Sequence, residues 1–313
     1  MATGGPLAES AALRAADASS TLREVSPELE AMLFTPIKVL DHGFIRVVDY
    51  MGGDGSVVQA ARVSYGRGTK QVSEDRGLIN YLMRHRHTTP FEMAEIKLHV
   101  KLPIFVARQW IRHRTASVNE YSARYSVLDN EFYVPEASHI GAQSPSNRQG
   151  RSDKIDADTA GRAATIFREH PRVSYEQYLE LLNLNADGST KSQNGEGVAR
   201  ELARTVLPVS FYTQWYWKTN LHNLMNFLQL RADPHAQFEI RVYADAILEI
   251  LRAWVPLTFE AFREHRLGAV TLSATAAEAL RRALSGERVT HESSNLTKRE
   301  WQELQERFNL RDG

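Results

Sequence analysis

Not one of the 313 residues is cysteine. The fold therefore has no disulfide to constrain it and no thiolate to hold zinc or an iron–sulfur cluster, so buried apolar surface must hold it together. The same absence removes every mechanism that begins with a sulfur nucleophile. Apolar residues are present in ordinary globular proportion, 42% against 24% charged, and the length fits one large domain or two smaller ones. Lys and Arg number 38, as do Asp and Glu, giving a net charge of zero. No whole-chain field draws nucleic acid or anionic lipid, so an anion site has to be built locally. No stretch approaches the roughly 18 consecutive apolar residues of a membrane span. No basic start precedes an apolar run, and the expectation is a cytoplasmic protein with neither a signal peptide nor a membrane anchor.

Hydrophobic periodicity predicts an α+β fold. Residues 37–51 alternate and are β-branched, as in a strand, and Gly52-Gly53-Asp54-Gly55 ends them with turn chemistry. Residues 57–65 and 75–86 have apolar positions three and four apart, as amphipathic helices do. Ile96, Leu98, Val100 and Leu102 alternate with Lys97, His99 and Lys101, predicting a half-buried strand, and Pro103 then sits where a helix over 104–114 begins. Helical spacing returns at 173–182, 198–206, 221–230 and 240–262. Two polar stretches, 137–158 and 183–197, read as loops inserted into one domain spanning 37–266. Residues 1–36 form an N-terminal, partly helical extension, and residues 267–313 an Ala/Glu/Arg/Gln-rich helical one. The expected architecture is a mixed or antiparallel sheet flanked by helices. GxGxxG and GxxxxGK[ST] are both absent, so it is not a Rossmann fold.

Chemistry concentrates between Arg108 and Arg124, where four arginines, one histidine and four hydroxyl groups fall within seventeen residues. If these residues were helical, Arg108 and Arg112 would stack like charges on one face, at a cost of a few tenths of a kcal/mol. Such a cluster is either a solvated basic face or an anion site, since guanidinium forks bind phosphate through paired hydrogen bonds. The spacing separates the two readings. Arg112-His113-Arg114, seven residues, then Ser122 resembles the signature of the flavin-dependent thymidylate synthases (ThyX). So do Ala60-Ala-Arg-Val-Ser, His87-Thr-Thr-Pro-Phe-Glu, Val198-Ala-Arg-Glu-Leu-Ala-Arg-Thr-Val-Leu-Pro and Asn220-Leu-His-Asn-Leu-Met-Asn-Phe-Leu-Gln-Leu-Arg, in the family's order.

The resemblance covers roughly residues 37–266 and implies a ThyX-like domain that methylates dUMP to dTMP. In that chemistry FAD carries hydride, methylenetetrahydrofolate gives the one-carbon unit and NADPH is the reductant. A chain without cysteine agrees with it, because the alternative thymidylate chemistry adds a thiolate to uracil. The resemblance assigns Arg231 the catalytic role of stabilising the ionised uracil. Its pKa above about 12 makes it an anion stabiliser rather than a base. By the same match Gln109, Arg112, Glu120, Ser122, Arg124, Arg204 and Arg231 form the dUMP site, with Arg204 supplied by a neighbouring subunit of a homotetramer. His87, Thr89, Arg112, His113, Arg114, Glu120, Asn220, His222 and Asn226 form the FAD site.

Ser122 lacks an adjacent matched histidine base and is read as a binding residue rather than a nucleophile. His222 stands where some relatives have arginine. Asn220, Asn223 and Asn226 recur every three residues and would form an amide stripe on a helix. Asp233-Pro234 reads as an N-cap and first helical turn. His235 and Glu239 are four apart, but no HExxH accompanies them, and no metal site is expected. The tryptophans and tyrosines read as core, with Trp110 and Tyr121 open to either a core or a stacking role. A nucleic-acid binder using residues 84–124 is disfavoured by the neutral charge and by the amides and carboxylates within that patch. A flavin oxidase or a related nucleotide methylase on the same fold is the other rival.

Overall fold

Leu98 pairs with Trp217, and Val100 with Trp215, across the centre of a five-stranded antiparallel sheet. All four side chains are essentially buried. The computed structural model describes residues 20–63, 72–145, 150–152 and 155–310. Most of the expected N-terminal extension (1–19), Ser64 and Tyr65 at the end of an expected helix, and parts of the 137–158 insertion lie outside the described residues.

In chain order the elements are α1 (Pro27–Met32), β1 (Ile37–Val39), β2 (Gly43–Met51), α2 (Asp54–Val63), α3 (Val72–Arg84), β3 (Glu95–Pro103) and α4 (Ile104–Trp110). Then come β4 (Ser117–Glu120), α5 (Ala157–Leu181), α6 (Arg200–Ala203), β5 (Tyr212–Asn220), α7 (Leu221–Arg231), α8 (Phe238–Trp254) and α9 (Pro256–Phe262). The sheet order is β1-β2-β3-β5-β4. The expected α+β class with a helix-flanked antiparallel sheet is what the chain forms.

Alternation in β3 works as the pattern predicts. Ile96, Leu98, Val100 and Leu102 are fully buried beneath α4, α7 and α8, whose Trp110, Leu224, Phe227, Tyr243, Ile247 and Trp254 belong to the same core. Each such side chain stabilises by about 1.5–3 kcal/mol. On the opposite face the buried Arg46 donates from Nε to His99 Nδ1 at 3.1 Å, and His99 Nε2 meets Gln214 Oε1 at 3.0 Å. Because Nδ1 accepts, Nε2 must carry the proton, which fixes the tautomer.

Several sequence expectations need correction. The single strand over 37–51 is a β1–β2 hairpin broken at Leu40, whose φ of 58° no strand tolerates. The helix expected over 240–262 is two, because Pro256 cannot donate an amide and α8 ends at Trp254. Helix α5 starts sixteen residues before the expected Val173, with Asp156 accepting from Thr159 N at 2.8 Å as its cap. Strand β5 and strand β4 were not expected at all.

Two carboxylates hold helix starts from a distance. Glu24 accepts from Gly55 N, Ser56 N and Ser56 Oγ at 2.8–3.0 Å, at the first turn of α2. Asp54 in turn accepts from Leu257 N, Thr258 N and Thr258 Oγ at 2.6–2.9 Å, at the first turn of α9. Burial raises the Asp54 pKa in spite of these bonds.

The chain divides into two units between Leu267 and Gly268. The second holds three helices, Ala274–Leu284, His291–Ser294 and Lys298–Phe308, where one or two were expected. Its own small core includes Val289, Leu296, Trp301 and Leu304, and capping boxes at Thr290 and Thr297 start two of the helices.

Candidate functional site

Helix α4 stops at Trp110, four residues short of the expected end. Trp110 is fully buried and packs edge-on against Trp215 and Trp217, with Phe227 4.5 Å away, so it is core. Arg112, His113 and Arg114 therefore lie in the turn beyond the helix rather than on its face. The expected i, i+4 stacking of Arg108 on Arg112 does not form. What positions the turn is the edge of the sheet: Thr219 Oγ1 donates to Thr115 O at 3.1 Å, and β4 pairs with β5 immediately afterwards.

That turn brings His113 to Arg231, at the last turn of α7. Arg231 Nε donates to His113 Nε2 at 3.0 Å, and the His113 ring lies edge-on to Phe227. Burial, reinforced by the Arg231 charge, pushes the His113 pKa down to about 4. The imidazole is thus neutral near pH 7, with its proton on Nδ1. Burial lowers the pKa of Arg231 as well, from so high a starting value that it stays charged. Its terminal nitrogens have no hydrogen-bond partner among the described residues.

Around this pair the other expected substrate residues occupy different situations. Gln109 on α4 has its Oε1 buried without a donor, a cost of about 1–3 kcal/mol unless a bound group donates to it. Glu120, at the end of β4, accepts from Thr213 Oγ1 at 2.7 Å. Ser122 Oγ accepts from Arg124 N at 3.3 Å, and no histidine contacts it among the described residues. The Arg124 guanidinium lies over the Tyr125 ring. Tyr121, the other open aromatic, is exposed. Arg112 and Arg114 are exposed and have no carboxylate partner among the described residues. Arg204 is not brought to the cluster within this chain; its Nε donates to Glu201 O at 3.3 Å.

A cleft beside α7 gathers His87, His222 and Asn226 of the expected FAD residues. Asn226 Nδ2 can only donate, so His222 Nε2 accepts from it at 3.2 Å, and burial lowers the His222 pKa. Thr88, not the expected Thr89, lines the cleft; Thr89 begins the short 3-10 turn Thr89–Met93. Asn220 is the N-cap of α7 rather than part of an amide stripe. Its Oδ1 accepts from both Asn223 N and Asn223 Nδ2 at 2.9 Å. Arg86, Gln229 and Arg266 line the same cleft and were not expected. The Arg86 signal was its place in a histidine-rich run; Arg266 had none.

The Asp233-Pro234 turn does not start a helix: Asp233 Oδ1 accepts from His235 N at 2.8 Å, and α8 begins at Phe238. His235 is thus off the helix that carries Glu239. The buried Glu239 instead binds Arg151, Tyr133 and Gln237. No group of three potential metal ligands occurs among the described residues.

Residues 46–257 match the family described as thymidylate synthase complementing protein. A flavin-dependent thymidylate synthase of Gluconobacter oxydans is 65% identical over 284 residues, 91% of each chain. One of Rickettsia bellii is 59% identical over 91% of this chain and 98% of its own. Among solved structures, the UMP/dUMP methylase PolB of Streptomyces cacaoi bound with 5-Br UMP superposes with a TM-score of 0.63. It is 35% identical over 74% of this chain and 98% of its own. The chain belongs to the family of flavin-dependent thymidylate synthases.

Proposed function

We propose that the protein carries out the reductive methylation of dUMP to dTMP with methylenetetrahydrofolate, FAD and NADPH, in the cytoplasm and as a homotetramer with shared sites. The observation that carries the reading is the 3.0 Å contact between Arg231 and His113. It holds a charged guanidinium in fixed orientation, with its terminal nitrogens turned to no protein acceptor among the described residues. Such a group stabilises negative charge developing on a uracil N3 and O4 without reorganising. Because His113 is neutral and accepts from Nε, it orients Arg231 without adding a second positive charge.

A dinucleotide fits the residues present. Arg112 and Arg114 offer guanidiniums that no described carboxylate neutralises. FAD would be held by His87, Thr89, Arg112, His113, Arg114, Glu120, Asn220, His222 and Asn226, and when bound it supplies hydride transfer. Gln109, Arg112, Glu120, Ser122 and Arg124 would bind dUMP, with Arg204 reaching in from a neighbouring subunit; its exposed position here suits that role.

The relatives at 55–65% identity are named thymidylate synthases, which favours dUMP over UMP, although PolB is titled a methylase of both. Tritium release from 5-tritiated dUMP, with 5-tritiated UMP in parallel, tests the reading. Release that requires flavin, NADPH and methylenetetrahydrofolate, and is at least tenfold faster with dUMP, is expected. Flavin-loaded protein that releases no tritium overturns it.

A further inference from the structure

Arg86 and Arg266, far apart in the first unit's sequence, line one cleft. Among the described residues neither makes an ion pair or side-chain hydrogen bond, and they are close enough that the Arg86 charge, after burial, lowers the pKa of Arg266. Arg86 is exposed and Arg266 half-buried, and two like charges lining one cleft repel, a cost that an anion bound between them turns into a gain.

The backbone at both positions is unusual. Arg86 has a φ of 60°, a left-handed conformation that costs a long side chain about 1 kcal/mol or more. It follows the end of α3 and directs the chain into His87 and Thr88, which line the same cleft. Arg266 sits in a π-helical turn, Arg263–Leu267, at the end of α9; such turns are rare and recur at functional sites. The rest of the lining mixes polar side chains, Thr88, Asn226, Gln229, His87 and His222, with apolar ones from Leu82 to Phe262. Glu92 acts on His222, and among the described residues it pairs with neither arginine.

We propose that Arg86 and Arg266 clamp a phosphate group of a bound dinucleotide. Guanidinium forks on two sides suit a phosphate's several oxygens, and amides and imidazoles beside them suit the adjoining ribose or base. Two molecules of the proposed reaction bear such a group: the pyrophosphate of FAD and the 2′-phosphate of NADPH. The clamp rests on the dinucleotide reading of this cleft given above.

The test uses the full-length protein stripped of flavin, the single variants Arg86→Gln and Arg266→Gln, and the double variant. Binding of FAD, FMN and riboflavin is followed by flavin fluorescence, and KM for NADPH and NADH is measured on the flavin-loaded enzymes. If the pyrophosphate is the ligand, the double variant loses FAD affinity roughly tenfold to a hundredfold, as for charged hydrogen bonds, while riboflavin binding changes less than about threefold. If the 2′-phosphate is the ligand, KM for NADPH rises by a similar factor and that for NADH stays put. Either result supports the clamp and names its source. The melting temperature of the stripped variants should be unchanged or higher, because one repulsion is removed; a purely structural role lowers it. Intact FAD affinity together with unchanged preference for NADPH over NADH overturns the clamp alone. Wild-type protein that binds no flavin and no NADPH overturns the clamp and the proposed function together.

Discussion

Arg231 is held by His113 through a single bond from Nε, 3.0 Å long, and the rest of its fork is left for another partner. A charge fixed this way cannot be replaced by a mobile one. Arg231→Ala should lower kcat by at least about 10²–10³, the loss seen when one preorganised stabilising donor is removed. Flavin absorbance should stay at wild-type stoichiometry. Unchanged turnover would refute the role, and loss of flavin would reassign the residue to cofactor binding.

The histidine makes a pH prediction. Its folded pKa of about 4 lies below the unfolded value of 6.5, so between those values the unfolded chain binds more protons than the folded one. Stability is therefore fully present above pH 6.5 and falls as the pH drops toward 4. The half-buried His222, shifted the same way, adds to the slope. Urea unfolding at pH 7.5, 6.5, 5.5 and 4.5 should show a shallower decline in His113→Gln than in wild type; parallel curves would contradict the neutral imidazole.

Among the described residues the Ser122 hydroxyl is engaged by nothing but the backbone amide of Arg124. Ser122→Ala should weaken dUMP binding and leave turnover measurable at saturating substrate. A complete loss of kcat with dUMP still bound would restore the nucleophile reading.

If Arg204 acts across a subunit boundary, two dead variants should rescue one another. Arg204→Ala and Arg231→Ala, each inactive alone, should regain measurable activity after co-refolding or co-expression, because some mixed sites draw intact residues from both chains. An active monomer in sedimentation would defeat the shared-site assignment.

Asp54 satisfies two amides and a hydroxyl at the start of α9. Asp54→Ala should destabilise by about 1–2 kcal/mol, the usual cost of a lost cap, and Thr258→Ala by less. Because the two share one bond, the double variant should fall short of the sum. Full additivity in urea denaturation would argue against the contact.

The parts of this fold legible in the sequence are those where one local rule acts alone. Alternation in β3 and the 3.6 spacing of α7 each report a single buried face, and both elements form close to where the pattern puts them. Strand β5 escaped because Trp215 and Trp217 on its buried face flank an aromatic Tyr216 on the exposed one, which blurs the alternation. Helix α4 looked longer because Ile111 extends its apolar pattern. Yet the chain turns at Arg112, to bring His113 to Arg231, a partner 118 residues further on. The signature arginines could be read from their spacing. Arg266 could not, since only the folded chain carries the end of α9 back beside Arg86.

Glu24, held against α2, and Asp54, which begins α2 and grips α9, make a tie running from the edge of the N-terminal segment to the wall bearing Arg266. Shortening that segment past Glu24 releases the first link of the tie while every residue of the cleft stays in place. A trimmed expression clone would then keep all of its contact residues and still bind its cofactor loosely.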